Sequence, residues 1–572
     1  MRMKSWSRAL CFLCVLCGAR FCFSLDREAF SITHYDLDVR IEPEQHRLAA
    51  RGKIKLRNDS ATRQKIAVLQ ISSSLDWRSI RAGETPVQFV RQPYTSDIDH
   101  TGSLSEAVVT LPHDIAPRGT AELDIAYEGV ILPDATRFTR IGAPEDTAKS
   151  ADWDQIDENF TAIRGAGYVA WYPIATESVN FSEDNSLSEV LGRWKAREST
   201  SELVLLFEST KKTKILFSGT KDLFMVPADQ FPTKAAFSMF RPGINVPTIV
   251  LGDFKQIDVK GLSEVDFLPG KEATAASYAD LLGKLDPLPS LRGQRGLQVV
   301  QLPYADATPF VTEGLLLVPL QTLSDESRLT LVYALARQAA ASPRAWINEG
   351  LAHLAQAIDI ENEHGRKSEV EYLNSHRALL IDAEKRSNLG DSGSKAEPGS
   401  EADRSLVSTN DELYLQSKAM WVWSMLRDMI GEAFDISLFS YNAFEDDGPS
   451  YMPRMIESHC QRDLSWFFDD WLYHDHGLPN FKVDSAFARS ASPNLFVLTI
   501  TLENTGTAGA EVPVIIRMPK GESVKRIEVR AKSKTTVRVE TPAAPQEIVV
   551  NDGSVPESET KDNVFKVAQP QS

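Results

Sequence analysis

The spacing of apolar residues changes twice along this chain, and that change limits the folds open to it. Apolar and polar residues alternate through most of 30–130 and again in 202–256, as in half-buried β-strands. From 324 to 473 the apolar residues follow the spacing of amphipathic helices, and after residue 480 the strand pattern returns. One sheet or one helical bundle cannot accommodate that order, so we expect a multidomain α+β protein.

The length of the chain and its turn-forming residues suggest where the domains divide. At 572 residues the chain exceeds the size of one ordinary domain. Residues 26–258 are predicted to form an N-terminal antiparallel β domain, and 259–479 a mostly α-helical domain. Residues 480–552 are predicted to form a small β-sandwich, and 553–572 a polar, frayed tail. The predicted long helices cover 324–341, 343–363, 366–386 and 412–430.

The first 25 residues are predicted to be a secretory signal peptide rather than part of the fold. MRMKSWSR carries positive charge, and ALCFLCVLC follows as a short apolar run. No second run of 18 apolar residues occurs, so we expect a mature chain without a membrane span, in a secreted or periplasmic location. Four of the five cysteines lie in this segment, so the mature chain keeps Cys460 alone and forms no internal disulfide.

Several segments, taken in chain order, resemble one enzyme family. They are YDLDVRIEPEQHRLAARGKIKLRN from residue 35, AWYP at 170–173, LGDF at 251–254, WINEGLAHL at 346–354, SKAMWVWSMLRDMIGEAF at 417–434 and RDLSWFFDDWLYHDHGLPNF at 462–481. Together they are similar to peptidase family M1, the zinc aminopeptidases typified by alanyl aminopeptidase. The resemblance implies an N-terminal antiparallel β saddle, a thermolysin-like, mostly α-helical domain and a C-terminal β-sandwich.

The same resemblance implies a zinc site that this sequence does not keep. In the family, an H-E-x-x-H helix supplies two histidine ligands and a general-base glutamate, and the next helix supplies a third ligand. Here YALARQ stands in that place, with Tyr333 and Arg337 at the ligand positions and Ala334 at the base position. A guanidinium has no lone pair to give a metal, and alanine takes no proton. Of the four positions, only Glu349, the third ligand, is retained.

Two further elements implied by the resemblance also differ. The family's oxyanion-stabilising tyrosine corresponds to Gln416, with Tyr414 two residues earlier as a second candidate. The strand FVTEGLLLV occupies the place of the strand that binds the substrate's amino group, and Glu313 is a candidate substrate-binding residue. The connection between the two zinc helices is shorter than in the family. Ser342 and Pro343 are typical N-cap and first residues for the second of these helices.

We expect Arg337 and Glu349 to form a structural pair in place of the metal. Without zinc, a buried Glu349 is an uncompensated anion, which costs free energy. Arg337 supplies a permanent positive charge with a geometry that suits a carboxylate. In the alternative interpretation, Arg337 faces solvent and Glu349 merely lies near the start of a helix.

Other ligand-like side chains offer weaker metal sites. Glu349 and His353 are four residues apart and share one helix face, which makes them candidates for half of a rebuilt site. His474, Asp475 and His476 have the composition of metal ligands, but a surface turn is the favoured interpretation. We therefore expect no metal and no cofactor, with zinc only if a rebuilt site exists.

The favoured hypothesis is a secreted, catalytically degenerate M1-like pseudopeptidase that binds a peptide or protein. One alternative is an active zinc aminopeptidase with a rebuilt site that draws on Glu349, His353 or Glu313. A second alternative is a structural subunit that mediates assembly. The net charge of −17 argues against a non-specific nucleic-acid binder, and the oligomeric state stays open.

Overall fold

A computed structural model describes residues 25–183, 186–222, 233–291, 296–390, 405–409, 411–443, 445–492 and 495–568. The predicted signal peptide, apart from Leu25, lies outside the described residues. The described chain is a mixed α/β protein with several open sheets. Among its helices, none combines the length and the hydropathy needed to cross a membrane.

An eight-stranded sheet dominates the N-terminal region. In spatial order its strands are Thr220–Asp222, Thr233–Phe240, Glu202–Ser209, Phe30–Glu42, Arg47–Asn58, Thr120–Val130, Leu75–Ala82 and Thr85–Pro86. The third and fourth of these run parallel, so the prediction of a purely antiparallel saddle is wrong for that pair. Residues 131–201 form the connection that brings Glu202–Ser209 to the free edge of Phe30–Glu42. Parallel pairing requires a long crossover of this kind.

Two smaller sheets share a hydrophobic cluster with the large one. The first contains Gln64–Ser72, Ser103–Ile115 and Gln88–Thr95, and the second contains Lys214–Phe217, Ile249–Gly252 and Phe160–Ile163. The crossover carries three helices: α1 (Thr136–Thr139), α2 (Glu145–Ala151) and α3 (Ser186–Arg197). The packed sheets and α3 therefore form one apolar core for this region.

One carboxyl group is buried in this core beside a tyrosine. Glu198, which follows α3, is 1% exposed, and its Oε2 lies 2.9 Å from the hydroxyl of Tyr35. The same hydroxyl lies 3.0 Å from the carbonyl of Pro173, so one proton faces two acceptors. A protonated Glu198 resolves this conflict, because it donates to Tyr35 while Tyr35 donates to Pro173. Burial accordingly raises the pKa of Glu198 to about 7.

We expect Glu198→Gln to stabilise the protein at pH 8 and to change little at pH 4. The folded-state pKa lies above the unfolded value of about 4.5, so the stability contributed by the protonated carboxyl is complete below pH 4.5. That stability is lost as the pH rises through 7, for a total on the order of 3 kcal/mol. Thermal unfolding at both pH values measures the difference. The exposed Glu84→Gln is the control, and equal effects of the two substitutions at pH 8 would contradict a neutral Glu198.

The middle region begins with a five-stranded mixed sheet. Its strands, in spatial order, are Lys255–Val259, Ser263–Phe267, Gln298–Leu302, Leu315–Pro319 and Phe310–Thr312. The predicted domain boundary between residues 258 and 259 falls inside the first strand, which pairs with the second. The boundary was misplaced because an edge strand and the end of the preceding domain have the same alternating pattern.

Helices form the rest of the middle region. They are α4 (Glu272–Leu282), α5 (Asp325–Ala340), α6 (Ala345–His364), α7 (Arg366–Ser375), α8 (Arg377–Gly390), α9 (Glu412–Ile430), α10 (Glu432–Ser440), α11 (Tyr451–Cys460) and α12 (Ser465–Phe468), followed by a π-helical turn at Asp469–Tyr473. Helix α6 packs against both α5 and α9. It lies at the centre of this region, and its side chains contact both neighbours.

The C-terminal region consists of two sheets. One contains Phe481–Ser492, Leu495–Asn504 and Ser533–Thr541, and the other contains Glu522–Val529, Ala510–Arg517, Glu547–Val550 and Val564–Lys566. Alternate residues of both sheets are buried in one cluster that also includes the apolar faces of α6 and α9. The prediction of a frayed tail is wrong for 553–568, because the last strand pairs with Glu547–Val550 and Val567 is buried.

Candidate functional site

A short turn between α5 and α6 sets the geometry of the candidate site. Helix α5 ends at Ala340, and α6 begins at Ala345, two residues later than the predicted start at Pro343. Asn348 holds the turn: its Oδ1 accepts from the backbone N–H of Ser342 at 2.6 Å, and its Nδ2 donates to the carbonyl of Ser342 at 2.7 Å. These two bonds fix the first turn of α6 against the end of α5, and the helix takes Arg344 rather than Ser342 as its N-cap residue.

The turn places Glu349 opposite two side chains of α5. Tyr333 and Arg337 are four residues apart and therefore lie on one face of that helix. The hydroxyl of Tyr333 donates to Glu349 Oε2 at 2.6 Å, and Arg337 Nε donates to Glu349 Oε1 at 3.0 Å. The side chains of Arg337 and Glu349 are each 14% exposed. Both carboxylate oxygens of Glu349 are thus occupied within a largely buried cluster.

The charges in this Tyr333–Arg337–Glu349 cluster reinforce one another. Burial acts to raise the pKa of Glu349, but Arg337 and the bond from Tyr333 outweigh it, so the pKa lies below its usual value. Burial acts to lower the pKa of Arg337, and the charge of Glu349 reverses that effect and raises it. Burial, followed by the charge of Glu349, raises the pKa of Tyr333 well above its usual value. At neutral pH the cluster is an ion pair beside a protonated tyrosine.

Glu313 borders the cluster from the mixed sheet. It lies in the turn between Phe310–Thr312 and Leu315–Pro319, where Gln338 of α5 accepts from the backbone N–H of Gly314 at 2.9 Å. Asn245 donates to Glu313 Oε2 at 3.0 Å, and the charge of Glu313 contributes to the raised pKa of Arg337. The carboxylate thus adds negative charge near the guanidinium and connects the β region to the sheet.

His353 lies one turn beyond Glu349 and keeps a basic nitrogen without a partner. Its ring centroid is 5.0 Å from that of Tyr333, and its Nδ1 is 3.0 Å from Gln356 Oε1. Tyr372 also donates to that oxygen at 2.9 Å, so the oxygen is an acceptor and Nδ1 carries the proton. His353 Nε2 is buried, and no described residue forms a hydrogen bond with it. Burial lowers the pKa of His353, so the imidazole is neutral at pH 7.

The candidates for an oxyanion-stabilising residue lie on α9. Gln416 is half-buried on this helix. Tyr414 donates to Asp475 Oδ2 at 2.5 Å, and Lys418 donates to Asp475 Oδ1 at 2.7 Å. The hydroxyl of Tyr414 is therefore engaged by a second buried ion pair, and a role for Tyr414 at the site stays a prediction. His474 and His476 are exposed, as the surface-turn prediction expects, whereas Asp475 is half-buried and compensates the buried Lys418.

The residues at the cluster do not fit a zinc ion. Of the three side chains that meet, only Glu349 is a zinc ligand, and both of its oxygens are hydrogen-bonded. Within the described residues, Glu349, His353 and Glu313 are not among the groups of three ligand residues whose atoms lie within 4.8 Å of one another. Ala334 is buried in the apolar cluster formed with the mixed sheet, so its side chain faces away from this site. The geometry therefore offers an ion pair where a zinc centre would need three ligands.

A large cavity lies away from this cluster, between the helices and the C-terminal sheets. It measures about 740 Å³ and is lined by residues that include Leu288, Glu361, Arg366, Arg427, Phe434 and Arg526. The guanidiniums of Arg366 and Arg526 both contact Asp428, and Arg427 contacts Glu361 at 2.8 Å. The arginines named here that line the cavity are therefore already paired with acidic side chains.

Tyr333 is the functional residue whose role the sequence reasoning missed. It was identified only as a lost zinc ligand, although its position four residues before Arg337 already placed both on the same helix face. A buried tyrosine hydroxyl needs a partner, and Glu349 offered one. The four-residue spacing from Arg337 and the tyrosine side chain were therefore sufficient to predict the contact between Tyr333 and Glu349.

The fold and the site define a multidomain α/β protein with a buried arginine–glutamate–tyrosine cluster between two consecutive helices. Compared by sequence, the chain matches no protein-family model and no curated protein. Compared by structure, it is similar to the M1 zinc metallopeptidase from Deinococcus radiodurans at 12% identity and a TM-score of 0.46, with 78% of this chain and 94% of that chain covered. A mutant of that enzyme bound to a Tyr-Ser-Ala substrate gives 13% identity and a TM-score of 0.45, with 79% and 96% covered.

Proposed function

We propose that this chain is a secreted, catalytically degenerate relative of the M1 zinc aminopeptidases that acts by binding a peptide or a protein. The observation that carries the proposal is the occupation of both Glu349 oxygens by Arg337 and Tyr333. Those two residues stand at the positions of the family's histidine ligands in the sequence resemblance. A cation that cannot dissociate replaces the metal charge, while the chemistry that the metal would supply is absent.

The helix positions that the resemblance links to catalysis support the same proposal. Ala334 stands at the place of the general base and is packed among apolar side chains. Tyr414, one of the two candidates for stabilising an oxyanion, is bonded to Asp475. Neither of these two positions therefore offers a free group to activate water or to stabilise a tetrahedral intermediate.

The alternative of an active enzyme with a rebuilt metal site draws on one observation, the buried and unpartnered Nε2 of His353. That lone pair needs two further ligands at metal-binding distance, and Glu349 is already engaged by Arg337. The alternative of a purely structural subunit has no observation that favours it over the binding role.

We expect the purified full chain to contain no zinc that depends on Glu349 and to leave aminoacyl-coumarin substrates uncleaved. Metal content is measured in the wild-type chain, in Glu349→Ala and in His474→Ala/His476→Ala, because the two histidines form a separate candidate site. Stoichiometric zinc that survives removal of the histidines and is lost in Glu349→Ala would contradict the proposal. Chelator-sensitive hydrolysis would contradict it as well.

The binding role is tested by calorimetry with a mixed peptide library of free N-termini. We expect heat of binding from the wild-type chain. If the wild-type chain produces no heat with any library fraction, the peptide-binding part of the proposal is wrong and the structural alternative gains support.

A further inference from the structure

Three ligand-type side chains converge on the surface where the helical region leads into the C-terminal sheets. Asp469 begins the π-helical turn, and His474 and His476 lie in the segment that follows it. One ligand atom from each of the three lies within 4.8 Å of the other two. The side chains are 53%, 61% and 42% exposed, so an ion from solution can reach all of them.

Carboxylates orient both imidazoles of this group. His474 Nδ1 lies 2.9 Å from Asp469 Oδ1, and His476 Nδ1 lies 2.9 Å from Asp470 Oδ1. The two rings are nearly parallel, at an angle of 4° with centroids 5.5 Å apart. The other oxygen of Asp470 accepts from the backbone N–H of Gly509 at 2.8 Å. A carboxylate that fixes the Nδ1 proton leaves Nε2 of His476 as the free electron-pair donor, which is the usual outer-shell arrangement of a metal-binding histidine.

We propose that Asp469, His474 and His476 bind a divalent transition-metal ion, and that Zn²⁺ is the ion that the donor set favours. Two imidazoles and one carboxylate match zinc, with Zn–N and Zn–O bonds of about 2.1 Å. In a tetrahedral site, such bonds bring the ligand atoms to about 3.4 Å from one another. The ligand atoms of the three residues lie within 4.8 Å of one another without a metal. Because the side chains are exposed, they can rotate to reach the shorter separation. Mg²⁺ and Ca²⁺ prefer oxygen ligands and do not suit this set.

The position of the site gives a bound ion a structural role. It joins the π-helical turn to the segment 474–476, and Asp470 connects the same turn to the loop at Gly509 in the C-terminal sheets. Asp475, between the two histidines, is anchored to Lys418 of α9. An ion bound here stabilises the junction between the helices and the sheets, and it does so independently of Glu349.

Calorimetric titration of the chelator-treated full chain with ZnCl₂ tests this inference, together with thermal unfolding. We expect one Zn²⁺ per chain and a raised unfolding temperature with excess Zn²⁺, because an ion that binds only the folded state stabilises it. MgCl₂ should produce neither effect. His474→Ala/His476→Ala should weaken Zn²⁺ binding at least tenfold, whereas His34→Ala/His113→Ala, which removes one half-buried and one exposed histidine elsewhere, should leave it unchanged.

The substitution Asp469→Asn distinguishes the loss of a zinc ligand from the loss of the folded structure. The amide oxygen still accepts from His474, so the metal-free stability should stay at the wild-type value while Zn²⁺ binding weakens. Equal Zn²⁺ affinity in the wild-type chain and in the double histidine variant would overturn the inference, as would a wild-type chain that binds no Zn²⁺. Zn²⁺ that is lost only in Glu349→Ala would overturn both this inference and the proposed function, whereas Zn²⁺ lost only in the histidine variant leaves the proposed function intact.

Discussion

Replacement of Arg337 by methionine should destabilise the protein by about 3–5 kcal/mol, because it leaves the Glu349 carboxylate buried without its cation. Tyr333 alone remains to donate to that carboxylate. Glu349→Leu should have a comparable effect, since it leaves a buried guanidinium. The midpoint of thermal unfolding measures the loss, and hydrogen exchange in α5 and α6 shows whether it starts at this helix pair.

The triple substitution Tyr333→Phe/Arg337→Met/Glu349→Leu should recover most of the lost stability. It removes every polar group of the cluster together, and an apolar replacement of a buried ion pair is often neutral or stabilising. Arg51→Met is the matched control, because Arg51 pairs with Asp38 on the surface and is 78% exposed. We expect that substitution to change the stability by less than about 0.5 kcal/mol. If Arg337→Met is no more harmful than Arg51→Met, the cluster does not act as a buried ion pair.

The order of strands and helices was predictable because apolar periodicity is a local property of the sequence. The long helices α5, α6 and α9 lie close to the predicted ranges, and the strands after residue 480 form sheets as expected. The parallel pairing of Phe30–Glu42 with Glu202–Ser209 was not predictable in the same way. Periodicity identifies which face of a strand is buried, but not which distant strand will lie beside it.

The same distinction between local and long-range information decides which contacts of the site were predictable. The relation of Arg337 to Glu349 follows from residue types, since a carboxylate near the start of one helix and a guanidinium near the end of its neighbour attract each other when both are buried. The engagement of Tyr414 by Asp475 depends on the path of the segment after the π-helical turn, which local sequence does not specify. Lys418, a lysine within an apolar helix, was the one sequence signal for an acidic residue near Tyr414, because a buried lysine requires a nearby anion.

The substitution pair Tyr333→His/Arg337→His should create a zinc site at the Tyr333–Arg337–Glu349 cluster. Tyr333 and Arg337 already direct their polar atoms to the same carboxylate, at 2.6 and 3.0 Å, so their positions face Glu349. Histidines four residues apart on one helix, with a glutamate from the next, form the ligand set of catalytic zinc sites. We expect one additional Zn²⁺ per chain with a dissociation constant in the micromolar range or below, measured by calorimetry in the His474→Ala/His476→Ala background.

That gain of zinc should not restore hydrolysis, which separates metal binding from catalysis at this site. Ala334 cannot act as a general base, and it is buried in the apolar cluster formed with the mixed sheet, where a glutamate would be a buried and unpaired charge. Glu349→Gln in the rebuilt variant should abolish the added zinc, and Tyr333→His alone should bind none, because the Arg337 guanidinium still occupies Glu349. A rebuilt variant that binds no Zn²⁺ while it remains folded would show that α5 does not present these two positions as a zinc helix, and the proposed descent of the cluster from a zinc centre would then be wrong.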